Sequence, residues 1–263
     1  MIRGCNKSTK VNQAPLLQIK QLELSYADAN NSVPIVRNLS LELYPGEIVA
    51  LVGPSGCGKS MTAQAIVGLL DSAVKVTSGS IFYKDVDVCM YTNKQMQVLR
   101  RDEIAFFIQQ SLNGLNPIRT VRKQMTETLL NQKKWNKKEM ELYLHTLLQQ
   151  VGFLDPESIL TAYPFELSGG MQQRVLLAMM ISLQPRLLIA DEPTTALDVI
   201  NRNKVLKLLK KIQQEQQLTI LLISHDKQSV NQIADRVIQM ETGGIACEPT
   251  STLQCVEGLS RQS

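Results

Sequence analysis

The chain has 263 residues, 44% of them hydrophobic and 20% charged, with a formal net charge of +4. That length suits one domain with an embedded subdomain, and the charge is too mild to argue for a nucleic-acid partner. Five cysteines without paired spacing predict free thiols in a reducing compartment; no apolar run reaches the ~20 residues that cross a bilayer, and Met1 to Cys5 opens no secretory signal.

In chain order, Leu16 to Leu24 and Leu39 to Leu43 alternate apolar and polar residues, which predicts antiparallel strands. Pro45-Gly46 makes a turn, and Ile48 to Val52 is an apolar run that suits a buried parallel strand. Directly after it stands Gly53-Pro54-Ser55-Gly56-Cys57-Gly58-Lys59-Ser60, which fits the pattern G-x-x-x-x-G-K-[ST] of a nucleoside-triphosphate-binding loop. Its glycines let backbone N–H groups turn inward on phosphate oxygens, Lys59 adds a positive charge at the β/γ-phosphates, and Ser60 offers a hydroxyl to Mg²⁺. Ser60 to Leu70 is predicted helical, with Met61 in a first turn whose positive end faces the phosphates. Cys57 lies inside this loop, so its alkylation is expected to obstruct ATP binding. The pattern leaves kinases, GTPases, helicases and transport ATPases open.

From about Val121 to Leu183 the apolar spacing is helical. The run Lys133-Lys134-Trp135-Asn136-Lys137-Lys138 reads as a solvated turn between two helices rather than a nucleic-acid patch. Ser168 is a good N-cap for the helix after Leu167-Ser168-Gly169-Gly170-Met171-Gln172-Gln173-Arg174, and the glycines permit close approach of an anion. Arg186 to Glu192 reads as a strand buried on both faces, ending in two carboxylates at the sheet edge where such folds bind ligands. There Asp191 is placed to hold Mg²⁺ and Glu192 to orient or deprotonate the attacking water. Val205, Leu208, Leu209 and Ile212 recur at helical spacing, Leu218 to Ile223 is a further strand, and Gly243-Gly244 closes a hairpin. Cys247 and Cys255 have too few neighbouring ligands for a metal site.

The Leu-Ser-Gly-Gly run with the phosphate loop resembles the ATP-binding-cassette family. The resemblance covers roughly residues 16 to 245, and it implies the remaining roles. Ser168, Gly169 and Gly170 would reach across a dimer to the γ-phosphate held by the other subunit. Tyr26 would stack on adenine. Gln109, with adjacent Gln110 as a rival, would touch Mg²⁺ and water and sense a membrane domain. Asp198 would bridge the subunits, and His225 would contact the γ-phosphate as a switch. The implied fold class is an α/β P-loop NTPase cassette with a RecA-like core, a mixed sheet, an antiparallel β subdomain and an inserted helical subdomain.

Met171, Leu115-Asn116-Pro117 and Ala190 to Asp198 resemble the peptide/nickel importer group of that family. Gln109-Gln110, Lys123-Gln124-Met125 and Ala162-Tyr163-Pro164 look most like subunits importing nickel or a metallophore, with dipeptide and oligopeptide importers as the alternative. Residues 1–15 are expected as an N-terminal tail, 16–246 as the ATPase domain with its helical subdomain at about 110–184, and 247–263 as a short tail lacking the His-Pro-Tyr-Thr-like extension of longer relatives. The implied ligands are ATP and Mg²⁺. The implied partners are a second ATPase subunit, in a heterodimer or a homodimer, two membrane permeases and an extracytoplasmic solute-binding protein, with the chain peripheral on the cytoplasmic membrane face. An exporter ATPase, or a cassette acting on DNA or ribosomes, fits the same chemistry.

Overall fold

The structure, a computed structural model, describes residues 13–26, 33–108, 114–130, 135–195, 197–241 and 244–247. Alternating apolar residues build strand β1 (Leu17–Tyr26), which pairs antiparallel with β2 (Val33–Leu43). The turn at Tyr44–Glu47 leads into β3 (Ile48–Val52), every residue of which is buried. Helix α1 (Lys59–Ile66) follows the phosphate loop. It stops short of the expected Leu70 because Gly68 takes φ 62, and a Cβ there would lie 2.6 Å from the Met96 Cε. Strands β4 (Val74–Tyr83) and β5 (Val86–Asp87) complete an antiparallel sheet of order β2-β1-β4-β5.

Helix α2 (Asn93–Asp102) starts on a reciprocal capping box between Thr92 and Gln95, and β6 (Ile104–Phe107) follows it. The predicted helical stretch resolves into α3 (Val121–Leu130), α4 (Lys137–Gln150), α5 (Pro156–Thr161) and α6 (Gly169–Ile181), the last capped by Ser168. Then come β7 (Leu187–Asp191), α7 (Val199–Gln216), β8 (Thr219–Ser224), α8 (Lys227–Val230), β9 (Arg236–Glu241) and β10 (Gly244–Cys247). They form a six-stranded sheet of order β10-β9-β3-β8-β7-β6, parallel except for the β9–β10 pair. The expected hairpin is that pair; Gly243 lies outside the described residues, as do Cys5, Cys255, Gln109, Gln110, Lys133, Lys134 and most of both expected tails.

The central strands obey a period of two on a sheet covered on both faces. Ile48, Ala50 and Val52 of β3, Leu188 and Ala190 of β7, and Ile220 and Leu222 of β8 join one apolar cluster with α3, α4, α6 and α7. Val49, Leu51, Leu187, Ile189, Leu221 and Ile223 face the opposite way, into a second cluster with α1, α2 and the antiparallel sheet. Trp135 turns inward, stacking on Tyr143 at 5.1 Å between ring centroids and donating from Nε1 to the Leu129 carbonyl, while Lys137 and Lys138 stay exposed. The aromatic residue of the basic run is thus a packing element of the helical region.

At the N-terminal end of β3, buried Glu47 accepts from the Tyr44 N–H at 2.8 Å and from Arg236 Nη1 of β9 at 2.9 Å. Asp235 accepts from the Ile48 N–H beside it. We expect Glu47→Ala, which removes the acceptor of the Tyr44 N–H and leaves Arg236 only the Glu42 carbonyl, to lower the unfolding free energy in urea by about 1–3 kcal/mol. A loss below about 0.5 kcal/mol would show that solvent replaces the carboxylate freely.

Candidate active site

Between β3 and α1 the backbone makes the tight loop that the glycine pattern predicts. Gly56 and Gly58 adopt φ 82 and φ 99, and a Cβ on Gly58 would meet Val36 Cγ2 of β2 at 2.4 Å. Gly53 is equally constrained, since its Cβ would sit 2.1 Å from the Met240 carbonyl oxygen of β9. Lys59 folds back over the loop, its ammonium donating to the Gly53 and Pro54 carbonyls at 2.9 and 2.8 Å. Ser60, Met61 and Thr62 follow in the first turn of α1, whose unpaired N–H groups favour anions. The Cys57 thiol, whose alkylation the sequence predicts to obstruct ATP binding, is buried in the cluster beneath the loop. Pro54, Ser55 and Gly56, not the Cys57 side chain, therefore form the exposed surface of the loop.

Two strands away, β7 delivers the carboxylates. Asp191 is 2% exposed, and burial pushes its carboxyl above the ordinary range; Glu192 adds to the rise, while the Ser60 hydroxyl and the Lys59 charge oppose it. Its Oδ1 is buried without a hydrogen-bond partner. Hard oxygen donors, one hydroxyl and one carboxylate with an unused buried lone pair, are what Mg²⁺ takes, so Ser60 and Asp191 fit that ion. Glu192 leaves the strand with φ 51, in the left-handed region, and its N–H is held by the Ile223 carbonyl at 2.9 Å. This kink turns its carboxylate towards the end of β8. There Glu192 Oε1 accepts from the His225 N–H at 2.9 Å, His225 Nδ1 lies 2.8 Å from the same oxygen, and Thr195 Oγ1 donates to Oε2 at 3.1 Å.

Lys59, Ser60, Asp191, Glu192 and His225 are thus gathered at the C-terminal edge of neighbouring strands β3, β8 and β7. Tyr26 ends β1 and is about half exposed, at 47%. Ser168 caps α6 through its Oγ, and Gly169 and Gly170 open that helix. No hydrogen bond among the described residues joins this signature turn to the phosphate loop of the same chain. Gly170 instead abuts Asn201 of α7, where a Cβ would find the Asn201 Cγ at 3.6 Å. Asp198 caps α7, accepting from the N–H groups of Ile200 and Asn201, and these bonds, that of Asn201 first, hold its carboxyl below the usual range. Gln109 lies outside the described residues.

Sequence reasoning gave Thr195 no role, although a hydroxyl three residues past Glu192 in a tight turn is placed to reach back to its carboxylate. Elsewhere, Glu141 and His145 of α4 converge with Glu157 of α5. Arg122 already pairs with both carboxylates, so that cluster is neutralised from within.

Comparison with known proteins gives a consistent answer. The family model described as ABC transporter matches residues 36–195. The chain is 43% identical to the dipeptide transport ATP-binding protein DppD of Bacillus subtilis, over 88% of its own length and 69% of the relative's. It is 42% identical to the oligopeptide transport ATP-binding protein AppD of the same organism, over 88% and 70%. Among solved structures it resembles the dimeric bacterial ABC transporter cassette MJ0796, with a TM-score of 0.77 and 26% identity over 91% of this chain and all of that one.

Removing the Lys59 charge should cost phosphate affinity but not the fold. We expect Lys59→Ala to weaken ATP binding by about 10- to 100-fold with an unchanged circular dichroism spectrum; ordinary affinity would remove the phosphate-loop role from Lys59. The burial of Cys57 predicts that maleimide labels it only after unfolding. Rapid labelling at Cys57 in the native protein, read by peptide mass, would contradict that placement.

Proposed function

The chain belongs to the ABC transporter family, as an ATP-hydrolysing subunit of its peptide/nickel importer group, and from that premise we propose that it powers the uptake of short peptides. The observation that carries the catalytic part is the Glu192 carboxylate, held by His225 and Thr195 at the sheet edge beside Ser60 and Asp191. The names of the relatives at 43% and 42% identity support peptide cargo over the nickel expected from sequence. The residues behind the nickel expectation have structural work to do. Gln124 exchanges hydrogen bonds with the Asn116 and Arg119 backbone, Met125 is core, and the Ala162 carbonyl accepts from the Val121 N–H. Residues that tie α3 to its surroundings would serve either cargo.

In this reading the loop N–H groups and Lys59 bind the phosphates of ATP, and Tyr26 stacks on adenine. Ser60 and Asp191 hold Mg²⁺, which when bound neutralises phosphate charge. Glu192 takes a proton from the attacking water, and His225, bonded to it through ring and backbone, fixes its direction. Gln109 completes the first subunit's contribution. A second cassette supplies its own Ser168, Gly169 and Gly170 to the γ-phosphate, and Asp198 meets it at the subunit boundary; the dimer seen for MJ0796 supports that pairing. No helix among the described residues is long and apolar enough to cross a membrane. Two permeases and a solute-binding protein would therefore provide the passage, with this chain peripheral on the cytoplasmic face.

Glu192→Gln should retain ATP binding, favour a closed dimer and lower turnover by about 10²- to 10⁴-fold. In cells carrying that variant, labelled dipeptide uptake should cease while nickel uptake persists. Loss of nickel uptake alone would reverse the assignment of cargo, and wild-type turnover would remove Glu192 from the role of base.

A further inference from the structure

The loop bearing His225 is anchored from a direction that the catalytic residues do not explain. Asp226, the next residue, accepts from Arg202 Nη1 of α7 at 2.7 Å. Both side chains are mostly covered, at 31% and 25% exposure, so water screens the pair only in part. The Asp226 N–H donates to Ser224 Oγ, and the Asp226 carbonyl accepts from Val230, which pins this residue between β8 and α8. The backbone of His225 is therefore fixed on both sides. That matters because the His225 N–H, as well as its ring, is bonded to the Glu192 carboxylate.

Arg202 belongs to the first turns of α7, and its own N–H is bonded to the Asp198 carbonyl. Asn201, its neighbour, donates from Nδ2 to Asp198 Oδ2 and lies against Gly170 of the signature turn. One short stretch of helix thus touches three parts of the proposed machinery: the signature turn, the subunit-bridging aspartate, and through Arg202 the loop that aims Glu192.

We propose that Arg202 is a positioning residue for ATP hydrolysis, whose ion pair with Asp226 locks the backbone at His225, and so the Glu192 carboxylate, to the helix turn that bears Asp198 and abuts Gly170. The inference rests on Glu192 being the base. A displacement of the carboxylate by a fraction of an ångström reduces the rate of proton abstraction without altering the phosphate loop, because the Arg202 side chain is paired with Asp226 and not, among the described residues, hydrogen-bonded to that loop. Movement of the signature turn or of Asp198 by a partner subunit would reach Glu192 through the same strut.

The test is steady-state ATP turnover by the full chain carrying Arg202→Ala, Arg202→Lys, Asp226→Asn or the Arg202→Ala/Asp226→Asn pair, with Glu192→Gln measured alongside. We expect Arg202→Ala to lower kcat about tenfold with KM and nucleotide affinity within about twofold of wild type and an unchanged Tm. Arg202→Lys, which keeps the charge, should restore most of the rate. The double variant should lose no more than the worse single variant, as befits two ends of one contact. Wild-type kcat in Arg202→Ala, losses that multiply in the double variant, or parallel falls in kcat, affinity and Tm would each overturn the proposal. If Glu192→Gln is dead while Arg202→Ala is fully active, the strut alone fails; full turnover by Glu192→Gln would bring down the base and the strut together.

Discussion

Burial of β3, β7 and β8 on both faces is the constraint from which the rest of the molecule follows. A strand covered by helices on one side and by a second sheet on the other has no solvent-facing flank on which to carry polar chemistry. Charged groups can appear only where such strands end. Val52 is paired with Ser224, and Asp191 with Ile223, so the three strands end at nearly the same level. The phosphate loop, Glu192 and His225 are the first residues past that level, and Asp191 is the last residue before it. Their convergence is a consequence of parallel register, not of any attraction among the side chains themselves.

The environment at that edge gives two adjacent carboxylates different surroundings, in keeping with the different roles proposed for them. Asp191 still belongs to the strand, and its burial raises the carboxyl and leaves one oxygen unpaired. A divalent cation with its own charge offsets that desolvation, which is why a buried lone pair suits it better than it suits a proton acceptor. Glu192, one residue on, has left the strand through a left-handed kink and lies within reach of donors from Thr195 and His225. A non-glycine residue in that region carries strain of about 1–3 kcal/mol, tolerated here because the Ile223 carbonyl and two neighbouring donors fix the turn.

Much of this was legible in the sequence, for identifiable reasons. Ile48 to Val52 was read with its observed bounds because a doubly buried strand between Pro45-Gly46 and a glycine loop has no competing periodicity. The helical stretch and the positions of Lys59, Ser60, Asp191 and Glu192 just past or at the end of apolar runs are likewise legible in the residues, whereas His225 is marked out only by the family resemblance. Strands β4, β5 and β6 and helix α2 went unread. Val74 to Tyr83 is largely exposed along its first half and shows no clean alternation, and behind the Thr92–Gln95 capping box helix α2 buries only Met96 and Leu99, too short an apolar stripe to stand out. The early stop of α1 depends on Met96 packing under Gly68, a contact between segments that no local pattern contains. For the same reason the loop sequence did not reveal that the Cys57 thiol points into the core, or that Asp226 has a partner on α7.

The strict alternation of the central strands also governs which length changes the gene can tolerate. A single codon inserted at the start of β7 would turn Leu188 and Ala190 towards the β1–β2–β4 side and send Asp191 to the opposite face, setting that strand's side chains against the wrong layers. Two codons would restore parity but carry the carboxylates past Ser60. Insertions are compatible with this architecture between elements and not within the three strands, so the alternation of apolar residues there is a constraint on length as well as on composition.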